Sequence, residues 1–211
     1  EIMYDIQNGG RAYKMALMGT HFTGKTRLAV AVESELRKRG IETKSIKEVS
    51  TDAKERGLPI NEGTTKEAQL WILHTQIAEE LRYARRRPNG PNYQALVCDR
   101  GVDNYCYLEH NVGRDEDALQ MILNHARNFP YDRLYLLPIT ESGIRGGAGT
   151  RSVNPGFQKD MDNKIRSFLA EQSFDYIELP ITQDKNPRDE WVRLVVNQTI
   201  QDLRLPNHLL M

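Results

Sequence analysis

Long apolar runs, cysteines and net charge are all scarce in this 211-residue chain. No apolar stretch is long enough to span a bilayer, so we expect no membrane association. Lys+Arg and Asp+Glu both number 29, and this balance argues against a protein that coats nucleic acid. Two cysteines are present, Cys98 and Cys106, without the C-x-x-C or Cys/His cluster that would indicate zinc or a disulfide framework. They indicate a reducing compartment, and the predicted location is cytoplasmic.

The sequence does contain a regular alternation of strand and helix patterns. Short apolar runs predict strands at 13–18, 42–47, 94–98, 133–138 and 174–179. Amphipathic patterns predict helices at 24–39, from about 65, at 103–109, 116–127 and 156–172, and from 187 onward. This order predicts an α/β fold with a five-stranded parallel sheet and helices on both faces. We expect residues 1–211 to form a single domain with a mobile lid at about 140–160.

The most specific motif follows the first predicted strand. The pattern G-x-x-x-x-G-K-[ST] runs without a gap from Gly19 to Thr26 and opens a predicted helix, which is the context that a phosphate-binding loop requires. Gly19 and Gly24 let backbone N–H groups curl round the phosphates, and Thr23 belongs to the same cofactor-binding set. Lys25 supplies a charge between the β- and γ-phosphates, and Thr26 offers a hydroxyl to Mg²⁺. The motif predicts binding of ATP or GTP with Mg²⁺, and the lack of a guanine-reading N-K-x-D motif favours ATP.

Polar residues at the ends of the second and third strands are candidates for the rest of the site. Asp99 and Arg100 come directly after the third strand, at the edge of the sheet that carries the phosphate loop. Asp99 can hold Mg²⁺ or its water, or accept a proton from an attacking hydroxyl, and Arg100 can clamp phosphoryl oxygens. Glu48 ends the second strand and is a candidate general base that positions the acceptor hydroxyl. For each of them the alternative is an ordinary solvated strand-end residue.

Two further features could contact substrate. Gln76 shares a half-apolar helix ridge with Glu80, and its amide could bind a base edge because it both donates and accepts. The glycine-rich loop 143–149 carries Arg145, and Arg151 follows it. Mobile arginines that close over a triphosphate would neutralise charge and exclude water. The alternatives are a solvated helix glutamine and a flexible solvated loop.

These residues together resemble the P-loop nucleoside and nucleotide kinase group, and within it the ribosylnicotinamide-kinase-like ATPases, over roughly residues 13–203. The likeness rests on the phosphate loop, Glu48-Val49, Gln76 with Glu80, Asp99-Arg100 with Asp103, Gly143-Ile144-Arg145, and Asp162 with Arg166. The resemblance implies that Lys25 and Thr26 serve ATP and Mg²⁺, that Glu48 and Asp99 share base and magnesium roles, that Arg100 serves the acceptor, and that Arg145 and Arg151 belong to the lid. One departure is Thr51, where these relatives often carry an arginine that faces substrate.

The predicted function is transfer of the γ-phosphate of ATP, with Mg²⁺, to a hydroxyl or phosphate of a nucleoside, nucleotide or related riboside. The expected catalytic residues are Lys25, Glu48, Asp99, Arg100, Arg145 and Arg151. One alternative is a kinase that acts on a hydroxyl of DNA or RNA, for which Arg82, Arg85, Arg86 and Arg87 form a basic cluster. Another is a regulatory NTP-binding switch without a phosphoryl acceptor. The balanced charge favours a small-molecule substrate over nucleic acid, and a homodimer is compatible with the sequence.

Overall fold

The computed structural model describes residues 11–60, 63–84, 92–140, 155–181 and 187–211. The strands are β1 Tyr13–Met18, β2 Thr43–Ile46, β3 Ala95–Asp99, β4 Arg133–Leu136 and β5 Ile177–Glu178. The helices are α1 Lys25–Lys38, α2 Val49–Glu55, α3 Lys66–Ala84, α4 Asn104–Val112, α5 Glu116–Asn128, α6 Pro155–Glu171 and α7 Pro187–Asp202, followed by a short 3₁₀ turn, Asn207–Leu209. All strand pairs are parallel, in the order β2-β3-β1-β4-β5. The predicted five-stranded parallel sheet is therefore confirmed.

The sheet is covered on both faces because its central strands are apolar on both sides. All six residues of β1 are buried, and successive residues of a strand point to opposite faces. Helices α1 and α7 pack on one face, where Leu28 and Val32 of α1 meet Val195 and Val196 of α7. Helices α3, α4, α5 and α6 contribute to the core on the other face. The prediction of helices on both faces is confirmed.

Four of the five strands differ in their bounds from the predicted positions. β2 ends at Ile46, so Glu48 lies two residues beyond the strand that it was predicted to end. β3 ends at Asp99, so this carboxylate belongs to the last strand residue and not to the residue after the strand. The strand predicted over 174–179 is reduced to Ile177–Glu178. It pairs only with Tyr135 and Leu136 of β4, and the limited partner surface at the edge of the sheet explains why the ladder is short.

Helix α2 is the element that the sequence pattern does not predict. It has seven residues, and only Val49 and Ala53 are buried, against Ile72 of α3. One apolar pair a single turn apart is too short a pattern to distinguish a helix from a loop. The helix matters for the site because it begins directly after Glu48 and fixes the direction in which the chain leaves β2.

The structure also bears on two exclusions drawn from composition. Within the described ranges, no helix is both long enough and apolar enough to cross a bilayer. Cys98 and Cys106 are both buried and form no disulfide. Burial raises the pKa of both thiols well above its ordinary value, so each behaves as a small apolar core residue.

Candidate active site

The phosphate loop closes around the side chain of its own lysine. Gly19 and Gly24 have φ angles of 138° and 92°, which glycine adopts without the strain that a Cβ would cause. Lys25 is the first residue of α1, and its Nζ donates to the carbonyl of Thr20 at 2.5 Å and to Oγ1 of Thr23 at 3.3 Å. The residues from Gly19 to Thr26 therefore form one loop, as predicted, and the buried ammonium of Lys25 lies at its centre.

Lys25 also lies at the centre of a cluster of charges. The pKa of its ammonium is lowered to about 8, chiefly by burial and next by the guanidinium of Arg100. Three nearby carboxylates, on Asp99, Glu48 and Asp103, act in the opposite direction. The structure thus brings the predicted residues of β2 and β3 into the electrostatic environment of the phosphate loop. An anion such as a polyphosphate would stabilise the charged form of this buried lysine.

Asp99 and Thr26 form an oxygen-rich pair beside the loop. The Thr26 hydroxyl donates to Oδ2 of Asp99 at 2.5 Å, and the carboxylate is only 1% exposed. Burial raises the pKa of Asp99, and the nearby charge of Glu48 raises it further. Its other oxygen, Oδ1, is buried and has no hydrogen-bond partner among the described residues. A hard cation with water ligands fits this donor set, since it would bind the hydroxyl and stabilise the carboxylate.

Glu48 and Arg100 form a buried ion pair one strand further out. The pair joins the residue before α2 to the residue after β3, with both Nε and Nη2 of Arg100 at 2.9 Å from Oε1 of Glu48. The Ser50 hydroxyl donates to the same oxygen at 2.7 Å. Burial lowers the pKa of Arg100, but Glu48, Tyr107 and Asp103 together outweigh burial and raise it above its ordinary value. The ion pair therefore keeps the Arg100 guanidinium charged and holds both side chains in place beside the phosphate loop.

The backbone of Arg100 is in an unusual conformation. Its φ is 91°, a region that a residue with a Cβ occupies at a cost of about 1–3 kcal/mol. Its N–H donates to the carbonyl of Leu17 in β1 at 3.1 Å, which fixes the turn next to the strand that carries the phosphate loop. Such strain is characteristic of residues that a functional site requires in one orientation.

Gln76 lies directly behind Arg100 in the buried face of α3. Its Nε2 donates to Oε1 of Glu80 at 3.0 Å and to the carbonyl of Arg100 at 3.4 Å. The side chain is 1% exposed, so it is a core residue and not the solvated helix glutamine of the alternative interpretation. Contact between this amide and a base edge stays a prediction.

Asp103, the residue that caps the start of α4, and Tyr107 within α4 complete the site. The sequence patterns did not single out Tyr107. Asp103, named only through the family resemblance, accepts from the N–H of Gly101 at 2.7 Å and from the N–H of Gly19 at 3.4 Å. Tyr107, one helical turn later, donates its hydroxyl to the carbonyl of Gly19 at 3.2 Å. The available signal was the i,i+4 spacing of these two residues on the helix that follows β3.

The remaining predicted residues are separate from this cluster or lie outside the described residues. Arg145 and Arg151 both fall outside the described residues, so their place in a lid stays a prediction. Arg166 of α6 donates to Asp162 at 2.8 Å and binds both carboxylate oxygens of Glu178 in β5, at 2.8 and 2.6 Å. Thr51, at the position where the relatives often carry arginine, is exposed on α2.

The fold and this cluster agree with the comparison with known families. A model described as an AAA domain matches residues 14–186, which is most of the chain. The chain belongs to the AAA domain family. No curated protein sequence matches this AAA domain.

Solved structures similar to this chain include NadR proteins and a deoxyadenosine kinase. A NadR protein in complex with NR has a TM-score of 0.69 at 14% identity, covering 91% of this chain and 51% of that chain. NadR in complex with NAD and AMP-PNP gives a TM-score of 0.64 at 12% identity, covering 91% and 49%. The AAA domain thus spans about half the length of these NadR chains.

The second kind of match extends over the whole length of the neighbour. A deoxyadenosine kinase from M. mycoides with bound dATP has a TM-score of 0.56 at 16% identity, covering 88% of this chain and 99% of that chain. The same kinase with its products has a TM-score of 0.57 at 13% identity, covering 89% and 99%. At these identities the likeness shows the fold, and the predicted resemblance to the P-loop nucleoside kinase group is confirmed at that level.

Proposed function

We propose that this AAA domain is a kinase that uses ATP and Mg²⁺ to phosphorylate a hydroxyl or phosphate of a nucleoside, nucleotide or related riboside. The chemistry would be in-line phosphoryl transfer, in which the protein contributes chiefly positioning and charge neutralisation. The proposal includes a single domain over residues 1–211 with Arg145 and Arg151 in a lid. It also includes a cytoplasmic location, as the two buried thiols of Cys98 and Cys106 suit a reducing compartment.

The observation that carries the proposal is the buried pair of Glu48 and Arg100 beside the phosphate loop. Their side chains are 7% and 5% exposed, and burial of an ion pair is seldom favoured for stability alone. A nucleotide switch needs Lys25, Thr26 and Asp99 but no second charged group at this position. The pair lies beyond Asp99, where an acceptor would approach the γ-phosphate along the edge of the sheet.

Each residue then has a distinct proposed role. Lys25 would neutralise the β- and γ-phosphates, and Thr26 and Asp99 would hold Mg²⁺, which supplies further charge neutralisation when it is bound. Arg100 would bind oxygens of the acceptor or of the transferred phosphoryl group through its planar guanidinium. Glu48 would orient the attacking hydroxyl and receive its proton.

The class of acceptor follows from the site and from the neighbours together. The ligands of the similar structures are NR, NAD, dCMP, dCDP, dATP and AMP-PNP, which share a riboside or deoxyriboside unit. Gln76, buried behind Arg100, is the proposed group for contact with the base-like part of the acceptor. We therefore propose ribosides of aromatic bases as the first candidates.

The test is a product screen. The protein would be incubated with Mg²⁺-ATP and separate pools of ribosides, deoxyribosides, nucleoside monophosphates and DNA or RNA oligonucleotides, and products would be identified by mass. We expect one small molecule to gain 80 Da, the mass of a phosphoryl group exchanged for a proton, and to do so only with active protein. The Lys25→Ala variant serves as the inactive reference, and Lys38→Ala, an exposed lysine of the same helix, as the matched control.

The outcomes separate the proposed function from its alternatives. Phosphorylation of an oligonucleotide alone would assign the chain to nucleic-acid kinases and contradict the small-molecule proposal. ATP hydrolysis that no acceptor accelerates would favour a nucleotide switch. Phosphorylation of a riboside by wild-type protein and by Lys38→Ala, and not by Lys25→Ala, is the result we expect.

A further inference from the structure

Asp103, just before α4, and Tyr107 in its first turn both bind the backbone of Gly19, the first glycine of the phosphate loop. Asp103 accepts from the N–H of Gly19 at 3.4 Å, and the Tyr107 hydroxyl donates to the carbonyl of the same residue at 3.2 Å. The ring of Tyr107 also lies against His21 of the loop, with ring centroids 5.4 Å apart. Tyr107 is only 7% exposed, and burial raises the pKa of its phenol to about 12, so the hydroxyl stays a donor across the neutral range.

The same tyrosine ring supports the acceptor-side arginine. The Cζ atom of Arg100 lies 3.8 Å from the Tyr107 ring centroid, the geometry of a buried cation–π contact. Arg100 in turn holds Glu48, as described above. The face of the Tyr107 ring thus contacts Arg100, the group proposed to bind the acceptor. The hydroxyl of the same side chain contacts the phosphate loop.

We infer that Tyr107 is a positioning residue that couples the acceptor side of the site to the nucleotide side. The inference rests on the proposed function. An aromatic ring moves as one rigid body, so a shift of Arg100 toward an acceptor would displace the ring and change the hydrogen bond to Gly19. Because such coupling is reciprocal, nucleotide binding would also favour one position of Arg100.

The coupling can be measured through nucleotide affinity alone, before any acceptor is known. The Kd for AMP-PNP would be determined for wild type, Arg100→Lys, Tyr107→Phe and the double variant. Lysine keeps the charge but loses the planar stack, and phenylalanine keeps the ring but loses the hydroxyl. We expect the effect of Arg100→Lys on the Kd to differ by about threefold or more between the tyrosine and phenylalanine backgrounds, as for residues in contact.

Two other tyrosines provide matched controls for the loss of a buried hydroxyl. Tyr135 in β4 has a buried hydroxyl without a hydrogen-bond partner among the described residues. Tyr13, at the start of β1, donates to Asp202 at 2.7 Å, far along the strand from the phosphate loop. Tyr135→Phe and Tyr13→Phe should each combine with Arg100→Lys additively, within about twofold in Kd. Unfolding midpoints measured for every variant confirm that each is folded.

The results distinguish this inference from the proposed function. Additive effects of Arg100→Lys and Tyr107→Phe on the AMP-PNP Kd, within about twofold, would overturn the coupling even if a riboside is phosphorylated. If Arg100→Lys were equally non-additive with Tyr135→Phe or with Tyr13→Phe in the AMP-PNP Kd, the coupling would be overturned as well. The effect would then come from a general loss of rigidity and not from Tyr107. A protein that binds AMP-PNP with the expected coupling but phosphorylates nothing in the product screen would leave the coupling standing and refute the kinase proposal.

Discussion

Replacing Glu80 by glutamine is expected to lower the free energy of unfolding by about 3–5 kcal/mol, because it leaves a buried ammonium without its counter-charge. Glu80 is 1% exposed in the middle of the face that α3 buries. Its Oε2 lies 2.7 Å from Nζ of Lys14 and 2.8 Å from Nε2 of His125. Its Oε1 accepts from Tyr131 at 2.7 Å and from Gln76 at 3.0 Å. Four side chains from different parts of the chain therefore depend on this carboxylate.

The expected change is large enough to measure by thermal and chemical unfolding. For a domain of this size each kcal/mol shifts the Tm by about 2–4 °C, so the variant should unfold about 6–20 °C below wild type. Urea titration followed by circular dichroism gives the free energy directly. Glu79→Gln is the matched control, since Glu79 is the neighbouring residue of α3 and pairs at the surface with Arg82 at 3.3 Å. It should cost about 1 kcal/mol or less.

Two further measurements distinguish loss of the ion pair from general damage to the core. Adding Lys14→Met to Glu80→Gln removes the unpaired ammonium and should recover part of the lost stability.

The second measurement is the dependence of the free energy of unfolding on pH. Burial raises the pKa of Glu80, but His125, Lys14 and Gln76 outweigh burial and lower it from 4.5 to about 2.

The sign of the pH effect follows from this lowered pKa. The carboxylate's contribution is fully present above about pH 4.5 and is lost as the pH falls from there toward 2. The difference in stability between wild type and Glu80→Gln should therefore narrow as the pH falls below about 4.5. A cost below about 1 kcal/mol, or a difference that does not change down to pH 3, would refute the reasoning.

The remaining predictions concern the chemistry of the site. Lys25→Ala should abolish turnover while circular dichroism stays that of wild type, with Lys38→Ala as the surface control; turnover at the wild-type rate would contradict the phosphate-loop assignment. Asp99→Asn should raise the Mg²⁺ concentration needed for half-maximal rate. Glu48→Gln should leave the magnesium curve in place and reduce transfer to the acceptor by about 10²–10⁴-fold; the opposite pattern in a magnesium titration of both variants would reverse the two roles. Arg145→Ala should lower kcat by about 10³-fold or more and should weaken ATP binding less; an unchanged kcat would make Arg145 a solvated loop residue.

The nucleotide side of the site could be predicted from the sequence because its geometry is local. Gly19 and Gly24 supply backbone conformations within a few residues, and Lys25 starts the helix that they precede. The strand–helix alternation likewise predicted the sheet, since apolar patterns depend on residues close together in the chain. Helix α2 was not predicted, and β5 was predicted too long, because short patterns carry too little periodicity.

The ion pair that we propose to lie on the acceptor side depends on tertiary structure. Glu48 and Arg100 are 52 positions apart, and they meet only because β2 lies beside β3 in the parallel sheet. Their contact could not be predicted from spacing, since strand order is set by the packing of whole elements. The same holds for Tyr107, which meets both Arg100 and Gly19 because α4 packs beside the end of β1. The sequence predicts which residues form the phosphate loop because they are neighbours in the chain. Which charged side chains face one another beside the loop depends on the pairing of distant strands and helices.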